Sequence, residues 1–380
     1  MSDVEKLELL SRQMHLEPAE DRCRPSLPSR SREAITVKSA QLPNGQSIRL
    51  LKTLLSSYCE RNCSYCPFRS ARDIPRAAFS PDDFARLFDS LHRSGFVEGI
   101  FLSSSIFQNS ITTQDKLLAT AFLLRERYHY TGYLHLKIMP GAERAQVEQA
   151  MLVADRLSVN LEAPHAHALT RLAPEKDFQK DLLDPLRWIE EIRSEQHPQH
   201  AWKRAWPSST SQFVVGAGVE TDLDLLKTTT RLHQAYQISR VYFSSFSPIQ
   251  DTPLENNPPS PPARERRLYQ ASFLLRDYGF STEELVFQEN GCLPLDLDPK
   301  LAWAKRNLPG NSVEINTAPK EQLLRVPGLG PTRVDGILSL RRQTKIKSFA
   351  QLRKNHLADP KSAPFLLING KIPPRQAALF

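Results

Sequence analysis

The sequence predicts an α/β chain: a partial barrel of six strand–helix units followed by a small all-α module. Three observations predict it. Short apolar runs alternate six times with amphipathic stretches, the signature of a parallel sheet with helical crossovers. The stretch "NTAPKEQLLRVPGLGPTRVDGILSLRR" (316–342) reads as two helices around a glycine turn. Charge is also uneven. The last eighty residues carry fourteen Lys and Arg against four Asp and Glu, while the first 300 carry 36 against 38.

The 380 residues allow two or three domains with cores of their own. No apolar run approaches the ~20 residues of a membrane helix. The opening "MSDVEKLELLSRQ" lacks the apolar centre of a secretory signal, and five cysteines suit a reducing compartment. The expected location is cytoplasmic.

Residues 1–45 are expected to form an N-terminal arm, partly flexible, with a weak helix at 3–13 and a polar, Pro-containing stretch after it. The barrel is assigned to 46–282. Its strands are read at 47–55, 98–105, 133–139, 157–162, 211–218 and 239–245. Between them "SPDDFARLFDSLHRSG" (80–95) carries a capping Ser80, Pro81 at the first turn, acidic Asp82 and Asp83, and a terminating Gly95. Helices are also read at 113–128, 143–155, up to 194, at 222–236 and at 262–278. In such folds chemistry sits at the C-terminal ends of the strands. The Pro-rich 245–264 follows the last strand, as either a substrate-facing loop or a spacer. Trp202, Lys203, Arg204 and Trp206 either stack on bases or pack as a loop, and packing is favoured. A linker is assigned to 283–310, the helical module to 311–357 and a C-terminal tail to 358–380.

The first strand is followed by "SSYCERNCSYCPFRS" (56–70), with Cys59-x3-Cys63-x2-Cys66. Soft thiolates select zinc or iron–sulfur. A structural zinc site wants four ligands, and the remaining cysteines, Cys23 and Cys292, form no second paired motif. A [4Fe-4S] cluster on three thiolates leaves one iron open for a ligand. Cys292 reads either as a radical relay or as an ordinary buried thiol, and the ordinary thiol is favoured.

This spacing after the first strand of a six-unit βα run, with Tyr65 before the last cysteine, resembles the radical SAM superfamily. The resemblance implies a [4Fe-4S] cluster on Cys59, Cys63 and Cys66, with S-adenosyl-L-methionine on the open iron and a 5′-deoxyadenosyl radical as its product. It implies Tyr65 near the adenine. The second strand of that family ends in a Gly-Gly-Glu-like edge for the SAM amino group; here Ser103, Ser104 and Ser105 stand there. Asn160 and Glu162, at the end of the fourth strand, fall where the family binds the ribose or carboxylate. Gly216 lies in a stretch resembling the glycine motif near the adenine. Lys137 either pairs with the SAM carboxylate or is solvated. The serines otherwise only end a strand, and Glu162 otherwise caps a helix.

The hairpin "PGLG" (327–330) with Pro331 opening a second helix resembles a helix-hairpin-helix unit. That resemblance implies phosphate contacts by Gly328, Leu329, Gly330, Thr332 and Arg333, with Arg341, Arg342, Lys345 and Lys347 extending a basic surface. Both glycines are expected to take unusual φ values. Contacts of this kind bind DNA with little sequence preference and strong salt dependence. The alternative is a helical hairpin for protein docking.

Together the two motifs resemble radical SAM proteins described as DNA modification or repair enzymes. That family implies a partner similar to uracil-DNA glycosylases and an electron donor such as flavodoxin or ferredoxin. An RNA- or tRNA-modifying enzyme and a non-catalytic metal-containing DNA-binding protein are the rival readings.

Overall fold

The computed structural model of the chain describes residues 1–12, 14, 35–42 and 45–373. The chain divides into two compact units. The first holds Met1–Glu220 and Arg231–Ser260, the second Thr221–Thr230 and Pro261–Phe380. Among the described residues no helix is long and apolar enough to cross a membrane.

The first unit is built on a seven-stranded sheet. Its strands are β1 (Val37–Gln41), β2 (Ser47–Leu54), β3 (Gly99–Ser103), β4 (Tyr133–Lys137), β5 (Arg156–Ser158), β6 (Ser208–Val215) and β7 (Arg240–Ser245). They lie side by side in chain order, antiparallel between β1 and β2 and parallel from β2 to β7. A sheet wound in one direction with helical crossovers curls, and six parallel strands are too few to close it. The result is the partial barrel expected from the sequence.

The helices between the strands cover its outer face. Helix α2 (Pro81–Arg93) starts at Ser80, whose hydroxyl accepts the Asp83 amide, and buries Phe84 and Phe88. Helices α3 (Ser110–Phe122), α4 (Arg144–Val153) and α6 (Asp184–Glu195) follow as successive neighbours, with the short α5 (Ala166–Leu172) between α4 and α6. Outward residues such as Ile100, Leu102, Leu134, Leu136, Phe213 and Phe243 are buried under this layer. Helix α1 (Asp3–Arg12) lies against β2 with Leu7 and Leu10 buried.

One boundary of the first unit differs from expectation. The sheet begins at Val37, inside the stretch assigned to the arm, because Leu42 and Gln46 close a hairpin that pairs β1 with β2. The remainder of the proposed arm, including Cys23, lies outside the described residues. The loop 196–206 is packed, as favoured: Arg125 stacks on Trp202 at 4.0 Å, Lys203 pairs with Asp155 at 2.6 Å, and Trp206 donates to the Gln196 carbonyl.

Helix α7 (Asp222–Tyr236) contributes residues to both units. In the second unit α8 (Pro262–Asp277) packs against α9 (Pro299–Asn307), and α9 shares one core with α10 (Lys320–Arg325), α11 (Pro331–Gln343) and α12 (Phe349–Lys354). Helix α9 stands in the stretch expected to be a linker, and its Ala304 joins Leu323, Val334 and Ile337 in that core. The expected tail is likewise corrected. Residues 358–373 are part of the unit, because the apolar run 365–368 supplies β9 (Leu366–Leu367), which pairs with β8 (Val313–Glu314) and buries Leu366 and Ile368. Residues 374–380 lie outside the described residues.

Candidate active site

The three clustered cysteines sit on the loop that leaves β2, at the C-terminal edge of the parallel strands. One side chain organises this loop. The Arg76 guanidinium donates to the carbonyls of Ser57 (2.6 Å), Phe68 (2.9 Å), Arg69 (2.7 Å) and Arg72 (3.1 Å). Four charge-assisted bonds to one planar group tie both ends of the cysteine segment together. Asn62 adds a second tie, accepting from Ser70 at 2.8 Å.

Cys59, Cys63 and Cys66 all line one cavity of about 160 Å³. Tyr65, Ser103, Ser104, Ser105, Lys137, Asn160 and Glu162 line it too. It therefore collects side chains from one face of successive strands, which identifies that face as the concave side of the sheet. Among the sequence candidates in this unit, Gly216 alone is not on the wall. It has φ 90°, and its amide donates to Glu220 at 2.6 Å, while the same carboxylate takes the Gly218 amide at 3.1 Å. The glycine turn is thus engaged by its own neighbour.

The serines at the end of β3 carry bonds of their own. The Ser103 carbonyl accepts the Leu55 amide, the Ser105 amide donates to the Ser56 carbonyl, and the Ser104 hydroxyl donates to the Ser105 carbonyl at 2.8 Å. These bonds fix the edge of β3 beside the cysteine loop. Asn160 donates to Gln212 at 3.4 Å.

Lys176 carries no motif by which sequence reasoning could have found it. It lies in the wall and pairs with Glu162 at 3.3 Å, both side chains nearly buried. Glu162 also lies near enough to Tyr65 to help push the phenol's pKa up. Its backbone has φ 63°, a left-handed conformation that costs a non-glycine residue free energy and recurs at functional sites. The conformation is held on both sides, by the Glu162 amide on Gln212 and the Val214 amide on the Glu162 carbonyl. Lys176 precedes a π-helical turn, Phe178–Leu183, whose Leu182 reaches the cavity. Such turns often mark functional segments.

Electrostatics follow from burial. Burial pushes the Cys63 and Cys66 thiols up; against Lys176, Glu162 and Cys59 raise Cys63 further, and Cys63 raises Cys66 further. Burial also raises Tyr65, with Glu162 and the two thiols adding to it. For Lys176 burial opposes the charge, but Glu162, Cys63 and Cys66 outweigh it and hold the ammonium above its ordinary value. Lys176 is therefore the resident counter-charge of the thiol site.

The donor set discriminates between metals. Among the described residues no three His, Cys, Asp or Glu side chains converge on a single ion position. A lone zinc would need its thiolates all within about 2.3 Å of one point. A polynuclear cluster places each thiolate on a different iron, so three thiols spread around one cavity fit it. The Cys66 sulfur also accepts the Phe68 amide at 3.4 Å, the kind of bond that tunes such clusters.

In the second unit the glycine hairpin between α10 and α11 is formed as expected, with differences in detail. Gly328 has φ 81°, but Gly330 has φ −99° and caps α11 in an ordinary extended conformation. Leu329 is buried in the core, its amide on the Val326 carbonyl and its carbonyl on Lys300. Arg333 donates to the Gly328 carbonyl at 2.6 Å. Arg341 is turned inward onto the Ala318 carbonyl at 2.6 Å, so it braces the unit rather than extending a basic surface. Thr332, Arg342, Lys345 and Lys347 are exposed. Cys292 is half-buried beside Asn290, to which its amide donates.

No protein-family model and no curated protein matches the chain. Solved structures similar to it include methylornithine synthase (PylB), at 14% identity and TM-score 0.47, covering 60% of this chain and 61% of that one. The FeFe-hydrogenase maturase HydG from Carboxydothermus hydrogenoformans is similar at 14% and TM-score 0.46, over 60% of this chain and 51% of its own. The radical S-adenosylmethionine methyltransferase TsrM from Kitasatospora setae is similar at 15% and TM-score 0.42, over 57% and 39%. The chain thus matches less than two thirds of the length of each. At these identities the functional reading rests on the residues of this chain.

Proposed function

We propose that this chain is a radical SAM enzyme acting on nucleic acid, with DNA as the first candidate and modification or repair as its role. The observation that carries the enzyme reading is the single cavity shared by Cys59, Cys63 and Cys66 with seven of the eight side chains expected to hold S-adenosyl-L-methionine. Cys59, Cys63 and Cys66 would hold a [4Fe-4S] cluster; Tyr65, Ser103, Ser104, Ser105, Asn160, Lys137 and Glu162 would border the SAM. When bound, these two groups supply a 5′-deoxyadenosyl radical that takes hydrogen from a substrate. The chain's own part is to hold and shield them. Arg76 fixes the cysteine loop, the Lys176 ammonium offsets negative charge gathered on the thiolates, and the concave face keeps bulk water from a reactive species. An electron donor such as flavodoxin or ferredoxin, and a partner similar to uracil-DNA glycosylases, complete the proposal.

Support for the nucleic-acid target comes from the second unit, where the basic excess of the sequence accompanies the Gly328 hairpin. Thr332 and the amides opening α11 would meet a phosphate, with Arg342, Lys345 and Lys347 adding charge. Anaerobic reconstitution followed by metal analysis tests the enzyme reading. About four irons per chain and release of 5′-deoxyadenosine with SAM and reductant are expected, whereas one zinc and no iron points to the non-catalytic reading. Filter binding at several salt concentrations tests the target. Salt-sensitive retention of DNA is expected; retention of RNA alone would move the assignment to RNA.

A further inference from the structure

Cys59 borders two spaces. With Cys63 and Cys66 it lines the inner cavity. It also lines a hollow of about 430 Å³ that opens to solvent, together with Tyr58, Glu60, Arg76, Phe107 and Gln108. All of these residues belong to the first unit. Cys63 and Cys66 do not reach the hollow. The Cys59 side chain is thus a wall shared by the two spaces, and an electron arriving in the hollow has one side chain to cross.

Aromatic rings and cations surround the hollow. Tyr58 and Phe107 are 41% and 39% exposed, and their ring centroids lie 5.6 Å apart. Single exposed apolar side chains are ordinary; two aromatic rings paired beside Cys59 form a platform. Their backbone is held in place. The Tyr58 amide donates to the Ser56 hydroxyl at 3.1 Å, the Phe107 amide to the Thr113 hydroxyl at 3.0 Å, and the Glu60 amide to the Ile106 carbonyl. The Lys116 ammonium lies 5.4 Å from the Phe107 ring centroid and donates to the Gln108 side chain at 3.1 Å. Its neighbour Asp115 is turned to Gln146 at 2.6 Å. Arg76 spends its four bonds on carbonyls, which leave its charge uncancelled. Arg69 and Arg72, on the same loop, donate to Asn62 and to the Pro67 carbonyl. Against these four cations stand the carboxylates of Glu60 and Asp73.

We propose that this hollow is where the electron donor docks, and that the donor is an acidic flavoprotein whose flavin edge seats on Tyr58 and Phe107. The proposal rests on the inner cavity being the site of radical chemistry, and it places that chemistry's supply of electrons. The flavin is oxidised by one electron and the cluster on the three thiolates is reduced by one; no bond forms or breaks. A flavin presents a flat apolar edge, which packs on a pair of aromatic rings. Rigid aromatic anchors lose little freedom on binding and carry much of the affinity of small interfaces. Electron-transfer encounters use the smallest interfaces, so two rings with a charged surround suffice. The excess of cations selects an acidic partner and steers its approach.

The test uses the reconstituted full chain, an acidic flavodoxin as donor, and dithionite as a chemical reductant that needs no docking surface. Binding of oxidised flavodoxin is measured by calorimetry, and 5′-deoxyadenosine release is followed with each reductant. The double variant Tyr58→Ser with Phe107→Ser removes only exposed rings, and thermal unfolding checks that it folds. It is expected to weaken flavodoxin binding about tenfold or more, as truncated interface aromatics do. Flavodoxin-driven release at low donor concentration falls in step, while iron content and dithionite-driven release stay at the wild-type level. Lys116→Glu is expected to weaken binding at low salt and to flatten its salt dependence. Flavodoxin binding and flavodoxin-driven release that are unchanged in the folded double variant would overturn the docking surface. So would a wild-type chain that takes electrons from a ferredoxin and binds no flavodoxin. A wild-type chain that holds iron and releases 5′-deoxyadenosine with dithionite keeps the radical reading whatever the flavodoxin result. A wild-type chain without iron would remove that reading and the docking surface with it.

Discussion

At the scale of single residues, the site divides into what the chain states locally and what only folding brings together. The three cysteines were legible because their meaning lies in a spacing of eight residues after one strand. Lys176 was not, because a lone lysine in a polar loop looks like any solvated lysine until the fold sets it 3.3 Å from Glu162. Lys176→Met leaves Glu162 buried beside the thiols without its partner. A loss of about 3–5 kcal/mol is expected in urea unfolding, and Lys176→Met with Glu162→Gln should recover part of it. The hairpin glycines make a second contrast. At Gly328 a side chain would face both φ 81° and the Asp359 Cβ at 3.0 Å, whereas at Gly330 the backbone is ordinary and the nearest atom is the Tyr278 hydroxyl at 3.2 Å. Gly328→Ala should cost about 1–3 kcal/mol and weaken nucleic-acid retention. Gly330→Ala should cost clearly less, and equal effects in unfolding and filter binding would contradict this account of the turn.

At the scale of elements, the alternation of apolar runs gave the six parallel strands and their helices, since each buries one face with a regular period. It missed β1, where "VKSAQ" has little apolar character and gains its place by pairing with β2; the Asn44–Gly45 dipeptide beside it was the available hairpin signal. It missed the role of 358–373 because a core of short helices is closed by residues distant in sequence. The cysteine loop depends on Arg76 in the same non-local way. Arg76→Leu should lose about 1.5–3 kcal/mol for each charge-assisted bond not replaced. The checkable outcome is a fall in iron bound per chain, with the barrel's circular dichroism unchanged. In the second unit Lys300, 7% exposed, donates to the Leu329 carbonyl and lies over the Tyr278 ring. Burial, with Arg325 adding and Asp298 opposing, lowers its pKa to about 7. The unfolded chain keeps that proton up to about pH 10.4. Between these values the unfolded state binds more protons, so stability should rise with pH. The penalty is fully present below pH 7 and is relieved above it. Unfolding midpoints from pH 6 to pH 10, compared with Lys300→Met, would show a rise that the variant lacks.

At the scale of the whole molecule, two units divide two kinds of work. One gathers thiols, a buried lysine and a polar concave face; the other carries the basic excess around a glycine hairpin. The sequence made this division visible through charge and motif, but read 283–310 as a linker and 358–380 as a tail, where Ala304, Leu366 and Ile368 join one core, because core membership is decided by packing and not by order. The central claim is that the cavity holds an iron–sulfur cluster open to S-adenosyl-L-methionine. Electron paramagnetic resonance of the anaerobically reconstituted, reduced chain tests it most directly. A [4Fe-4S] signal that changes on adding S-adenosyl-L-methionine, and is lost in Cys59→Ala, Cys63→Ala and Cys66→Ala, is the predicted result. A chain that takes up no iron, or a cluster whose spectrum is indifferent to S-adenosyl-L-methionine, would contradict it.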